Sequence, residues 1–477
     1  MNIKDFVRKV VDKLLNRKHV EEKIASNIAV SGKMSDAIDL WKNLYINEPP
    51  WMGGEKNVIP MNIPATIAEE IARLVTIEMK SEISGNSAFA TFLNTQYQKA
   101  IKDLPQKVEV YAAKGGIAMK PYFSDGNILV DFTQAENFLP TSYNSNHEIT
   151  GAVFVDSKRI GKYLYTRLEH HELKGTTYTV VNRAFRSEQL FDYGDEEILS
   201  ARYPLQNQVP LSTVPEWASL SEEPVVINDV QRPLFVYVKV PRANNVDPAS
   251  PLGVSVYSRA IDFIKIADEQ LSGILHEYGI LEAAVFASNN LFKLDKKGNP
   301  ILPTGDERKF KTVDTTGMTE TLLKEFAPQF RDDSLFNGLN QYLQKIELLC
   351  GLAYGTLSLP QDIEKTATEI KASKQRSYSS ICNIQSAWDE GLEHLSYSMA
   401  VIAILYGLAP FGEYSICNEW GDGVIEDIDI EYQRRWGQVV AGKLKLEKFY
   451  SWYYGITEKE ALDLIPEQPK TPFPPEE

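Results

Sequence analysis

The chain has 477 residues, 43% hydrophobic and 24% charged, which is the balance of a folded protein with ample material for buried cores. Its formal charge of -15 argues against a protein that grips nucleic acid over its whole surface, because such binding neutralises phosphates with Lys and Arg; a protein past which DNA slides stays open. Cys350, Cys382 and Cys417 lack CxxC spacing and indicate neither a disulfide framework nor a zinc ribbon, so a reducing cytoplasm is the expected place of synthesis.

The opening MNIKDFVRKVVDKLL reads as an amphipathic basic helix rather than a signal peptide, since Lys4, Asp5, Arg8, Lys9 and Asp12 interrupt every apolar run. Residues 1–103 read as mostly helical, with a turn at EPPWMGG (48–54). Ala65 to Ile83 carries Ile67, Ile71, Leu74, Val75 and Met79 at helical spacing. From Val108 to Val240 the period shifts towards two, through VEVYAAKGGIAMKPYF, NILVDF, GAVFVDS and KYLYTRLEHHELKGTTYTVVNRAF, which predicts a β-dominated domain of antiparallel strands. The Pro-punctuated PRANNVDPASP (241–251) then leads into a helix over Leu252–Tyr278. Residues 280–330 return to strand and turn character, with LFKLDKKGNPILP as a hairpin turning at Asp295–Asn299.

A second helix is expected from Asp333 to Cys350, with Leu335, Leu339, Tyr342, Leu343, Ile346 and Leu349 on one side. Leu352 to Ile381 follows as a Gly/Pro-bearing loop running into a polar helix, whose narrow stripe is Ile363, Ala367, Ile370 and Tyr378. Asp362 is placed to cap it, although Lys365 stands where a capping box wants Glu or Gln. Such a helix either faces solvent or packs around a wet space with copies of itself. Met399–Leu408 is too short to span a bilayer and reads as a buried helix. The tail module has a helix stopped at Gly442, another helix, and a Thr457 cap with Glu460 in the capping-box position. PEQPKTPFPPEE reads as disordered.

Chemistry-bearing patterns are weak. AKGGIAM (113–119) lacks the GKS or GKT ending of a phosphate-binding loop and reads as a turn between two strands. His170, His171 and Glu172 lack HExxH spacing and read as a surface strand. Asp422, Glu426, Asp427, Asp429 and Glu431 lack the EF-hand spacing and read as a solvated face. Neither a Gly-x-Ser-x-Gly elbow nor a Cys/His or Ser/His signature occurs, so the sequence offers no positive case for an enzyme, a cofactor or a metal.

Taken in order, helical start, β-rich domain, helix, α/β insertion, helix, loop, long polar helix and small tail resemble the portal proteins of tailed bacteriophages, in particular those of siphophages of Gram-positive hosts. GLAYGTLSLP followed by KTATEI resembles the family's tunnel-loop-to-helix junction, and AGKLKLEKFYSWYYGITEKEAL its C-terminal segment. KGGIAMKPYF with ILVDFTQAENFLP resembles its N-terminal β domain.

The resemblance implies an α+β portal fold assembled as a ring. Its parts would be a wing (1–250), stem helix 1 (251–279), a clip (280–331), stem helix 2 (332–351), a tunnel loop (352–361), a long helix returning to the wing (362–409) and a small crown-like module (410–466), with a disordered tail (467–477). It implies a dodecameric channel at one capsid vertex for DNA packaging and ejection. The expected partners are other copies of the chain, the terminase large subunit, a head-completion or adaptor protein, the major capsid and scaffolding proteins, and double-stranded DNA passing non-specifically. The expected location is the virion, after assembly in the host cytoplasm and without a membrane. Thr356, Leu357, Ser358 and Leu359 would form the tunnel loop and contact DNA without binding it strongly. Lys365, Lys371, Lys374 and Arg376 would temper the repulsion between an acidic wall and DNA, or pair with acids of neighbouring subunits. The alternative is another capsid-associated protein, such as a minor head protein or adaptor.

Overall fold

The computed structural model describes residues 20–24, 27–52, 58–188, 205, 207–280, 284–288, 310–313, 323–326, 332–359, 367–421 and 428–465. The opening basic helix, the 291–303 hairpin, Asp362, Ile363, Lys365, Asp422, Glu426, Asp427 and the Pro-rich tail lie outside these residues. The chain mixes helix and sheet in two compact units, one of residues 1–76 and 80–418, the other of 77–79 and 419–477.

In the larger unit, helix α1 (Gly32–Tyr45) starts at Ser31, whose hydroxyl accepts from Met34 N at 3.2 Å, and buries Met34, Ile38, Trp41 and Leu44 along one face. Helix α2 (Ile63–Thr76) likewise buries Ile67, Ile71 and Val75. It stops short of the expected Ile83, because Lys80–Ser84 forms strand β1 instead and pairs with a strand more than three hundred residues later. Helix α3 (Ala88–Ala100) follows. Helix α4 (Leu104–Lys114) occupies residues that read as the first strand of the β domain. Val108 and Val110 alternate like a strand, yet Leu104, Val108, Tyr111 and Ala112 are the buried set, at helical spacing, with Pro105 in the first turn and Gly115 as the left-handed stop.

The AKGGIAM run is therefore a junction from helix to strand, not a turn between strands. Gly115 has φ +86, and a Cβ there would stand 2.7 Å from the carbonyl carbon of Val254, so these glycines let two backbones cross. From this crossing β2 (Gly116–Ser124) pairs with β3 (Asn127–Gln134). Strands β4 (Phe138–Tyr143), β5 (Ile149–Ile160), β6 (Tyr163–Lys174), β7 (Thr177–Glu188) and β8 (Asn207–Val209) lie side by side in that order, all antiparallel, and β9 (Val225–Ile227) also pairs with β7. Strand β10 (Val236–Lys239) adds to the far side of β2. An aromatic core joins the two sheets: Phe138 stacks on Tyr237 at 5.0 Å and Phe154 meets Phe235 edge-on at 5.5 Å.

Two helices, α5 (Ile261–Ile280) and α6 (Asp332–Cys350), pack along each other and bracket a small sheet. Its described strands are β11 (Ala284–Ser288), β12 (Phe310–Val313) and β13 (Leu323–Phe326), with β11 central, parallel to β12 and antiparallel to β13. Helix α5 begins later than the apolar spacing of 252–260 suggests. Val254, Val256, Tyr257 and Ala260 are fully buried from turns, Tyr257 donates to Trp41 O at 2.9 Å, and Val256 N donates to Ala112 O at 3.0 Å. The spacing there reports core, not helix.

Helix α7 (Ala367–Leu405) has two characters. From Ile381 onward Ile384, Trp388, Leu392, Leu395, Met399 and Ala403 are buried at intervals of three and four, and Trp388 meets Tyr111 edge-on at 5.3 Å. Gly391 permits this fit, since a Cβ there would stand 2.5 Å from Val238 Cγ2 on β10. Before Ile381 the helix is polar. Within that part Ser377 is buried while Tyr378, one of the expected stripe, is exposed; the side chains of Ile363, Ala367 and Ile370 lie outside the described residues. Strand β14 (Ser415–Glu419) then pairs with β1.

The smaller unit consists of helices α8 (Ile428–Val440), α9 (Leu446–Tyr454) and α10 (Glu458–Asp463) around buried Phe449, against which Tyr432 and Trp436 pack at 5.3 and 5.4 Å. Thr457 and Glu460 form the capping box expected from their spacing.

Candidate functional site

Residues Gly351 to Leu359 leave the end of α6 on the way to α7, and the path of this stretch is built from backbone needs. Gly351 ends α6 in the left-handed region (φ +78), and Leu352 N reaches back to Glu347 O at 2.9 Å, the pattern of a Schellman stop. A side chain at 351 would crowd Ser380 Oγ of α7, at 2.6 Å from its Cβ. The last carbonyls of α6 fall to one guanidinium: Arg242 donates to Leu349 O at 3.2 Å, to Cys350 O, and to Val256 O at 2.7 Å. Burial lowers the Arg242 pKa and pushes the Cys350 thiol up to about 12, the neighbouring guanidinium pulling the thiol the other way.

Beyond Gly351 the chain tightens, with Thr356 Oγ1 donating to Ala353 O at 2.6 Å. It then runs back along α6. Leu357 N and Ser358 N donate to Glu347 Oε1 at 2.6 and 2.8 Å, and Ser358 Oγ donates to Oε2 at 2.9 Å. Seven residues earlier on the same helix, Asn340 Oδ1 accepts from Leu359 N at 2.8 Å and its Nδ2 donates to Leu359 O at 3.2 Å. Glu347 is wholly buried, so successive N–H groups and a hydroxyl take the place of water around its carboxylate.

Of the four expected loop residues, Ser358 thus turns inward to Glu347, Thr356 and Leu357 are half-buried, and Leu359 projects at 74% exposure. Arg376 is exposed on α7. Lys371 and Lys374 lie on the same helix, and Lys365 lies outside the described residues. The structure therefore brings Thr356 to Leu359 together with Asn340 and Glu347, two residues the sequence reading passed over. The available signal was polar Asn340, Gln344 and Glu347 recurring at intervals of four and three inside an otherwise apolar helix.

A second polar cluster, on β6, is structural. His171 is buried, not on the surface: its Nδ1 lies 2.7 Å from Tyr178 Oη and its Nε2 2.9 Å from Glu169 Oε1. Lys120 of β2 pairs with the same Glu169, and Arg167 lies 3.3 Å away. Burial opposes ionisation of Glu169, yet Lys120, His171 and Arg167 together hold its carboxyl well below the usual carboxylate range. This ties the three-stranded sheet to the six-stranded one. Among the described residues, no group of three or more His, Cys, Asp or Glu is arranged to hold a metal ion, and no helix is long and apolar enough to cross a membrane.

No curated protein matches the chain. The family described as phage portal protein, SPP1 Gp6-like, matches residues 41–471, a span that takes in both sheets, the paired helices, the loop, α7 and the aromatic C-terminal helices. The chain therefore belongs to the phage portal protein family, a structural family of the tailed-phage capsid.

Proposed function

We propose that copies of this chain assemble as a dodecameric ring at one capsid vertex and form the channel through which the genome is packaged and later ejected. In that ring residues before 250 form the wing, α5 and α6 the stem, and the sheet of β11, β12 and β13 the clip. The terminase large subunit docks at the clip during packaging and a head-completion protein replaces it, while the major capsid and scaffolding proteins surround the wing. Loop 352–361 projects into the channel, the polar start of α7 lines it, and residues 410–466 form a small crown.

The observation that carries this reading is the loop itself. Its backbone donors at 357, 358 and 359 are consumed by α6, which leaves Leu359, at 74% exposure against 37% for Tyr354, as the most exposed apolar side chain of the described loop. An apolar tip on a rigid support touches a phosphate backbone without holding it. The acidic excess of the chain acts in the same direction, since duplex DNA carries one charge per roughly 1.7 Å and a basic wall would bind it and stall transport. Lys371, Lys374 and Arg376, with Lys365 ahead of them, soften that repulsion locally.

Leu359→Asp is the direct test. At so exposed a position the change moves stability by no more than about 0.5 kcal/mol. Rings should form normally while the length of packaged DNA, or its retention, falls. Heads filled and sealed as in the wild type would contradict a channel role for the loop. Deleting residues 353–359 is a poorer test, because it strips Glu347 of its partners.

A further inference from the structure

Between Asn340 and Glu347, on the same face of α6, stands Gln344, whose Nε2 is buried and has no hydrogen-bond partner among the described residues. Successive positions of 100° place 340, 344 and 347 within one narrow stripe, so the three side chains form a ladder facing the loop. Two rungs hold loop backbone and one is idle. A buried amide N–H without a partner is costly in the state that leaves it so, and a second arrangement that satisfies it is favoured by that much.

We propose that Asn340 and Gln344 form a two-position clasp for Leu359, with Glu347 as its fixed pivot. In the closed position, the one seen, Asn340 holds both backbone groups of Leu359 and Gln344 waits. In the open position Leu359 leaves, and Gln344 Nε2 donates to the vacated Oδ1 of Asn340, four residues back on the same helix, where such side-chain pairs meet. Gln344 thereby compensates part of what release costs. The pivot does not move with Leu359: the Glu347 carboxylate is wholly buried, and its three charge-assisted bonds to Leu357 and Ser358 are stronger than the neutral pair at Asn340. Release is therefore confined to Leu359. Asn340, Gln344 and Glu347 are positioning residues: they set where the exposed leucine stands, and the part played by that leucine in DNA passage rests on the channel reading above.

Hydrogen–deuterium exchange of the loop amides in the assembled full-length protein tests the clasp without reference to DNA. Asn340→Ala should speed exchange at Leu359 by roughly tenfold while Leu357 and Ser358 keep their protection. Gln344→Leu, which removes the compensating donor but keeps the bulk, should slow exchange at Leu359 by several-fold, an effect that loss of a merely structural side chain would not produce. Glu347→Gln, which keeps one acceptor oxygen but removes the charge, should speed exchange at Leu357 and Ser358, whose amides it holds, while Leu359 keeps its bond to Asn340. If Gln344→Leu leaves Leu359 unchanged or speeds it, the two-position clasp is wrong. If Asn340→Ala frees Leu357 and Ser358 as much as Leu359, the pivot is wrong. Packaged DNA length, measured on the same variants, separates this proposal from the channel reading: altered exchange with normal packaging keeps the clasp and sinks the role of the loop in DNA passage. Should Glu347→Gln fail to assemble, the Asn340 and Gln344 variants decide the matter alone.

Discussion

Loss of water on burial sets the charge state of the buried histidines of this chain ahead of their neighbours, and His171 shows the consequence most clearly. Glu169 would favour its protonated form, but burial, with Lys120 and Arg167 close by, lowers its pKa below the ordinary value; His170 and His394 are lowered for the same first reason. The unfolded chain therefore takes up protons near pH 6.5 that the folded chain refuses. Stability is fully present above that pH and is lost as pH falls below it, by up to about 1.4 kcal/mol per pH unit for each such histidine. Urea unfolding at pH 7.5, 6.5 and 5.5 should show the decline, and His171→Gln should flatten its slope; a stability that rises on acidification over this range would contradict the assignment. His171 was visible in the sequence as one of a pair on a strand. Its burial was not, because its partner Tyr178 on the next strand, and the Lys120 from the other sheet that pairs with its neighbour Glu169, are set by pairing that a local pattern does not encode.

At the scale of elements, the most consequential join is the end of α6. One guanidinium, Arg242, takes up carbonyls from the helix end and from the segment before α5, so the paired helices and the loop share a single anchor. Arg242→Met should leave these acceptors unsatisfied and lower stability by about 2–4 kcal/mol in chemical denaturation. Arg242→Lys should recover part of it, since one ammonium lacks the planar fork that spans three carbonyls. A loss below the error of the measurement would show that water replaces the guanidinium at no cost. Helix ends with local chemistry were legible beforehand: the Thr457 and Glu460 box and the Gly442 stop stand where their spacing put them. Helix α4 was not legible as a helix, because its valines alternate and the deciding contacts lie far away in sequence. For the same reason residues 254–260 mimicked a helix while serving the core from turns. The loop was recognisable from Gly355 and its apolar and hydroxyl residues, but its clasp on Asn340 and Glu347 lay hidden inside a helix whose leucines drew attention to the opposite face.

For the molecule as a whole, membership of the phage portal family makes it a structural protein of the tailed-phage capsid, and the acidic balance of the chain supports the proposal that it meets DNA by passage rather than by grip. The exposed apolar side chains of the paired helices, Ile266, Leu275, Tyr278 and Phe336, agree with burial between copies in a ring. Electron microscopy of the purified full-length protein, with its mass measured in solution, tests this most directly. Closed rings with a central hole wide enough for duplex DNA, and a mass many times that of one chain, are the expected result. A population of 53.8 kDa monomers with no larger species under assembly conditions would contradict it.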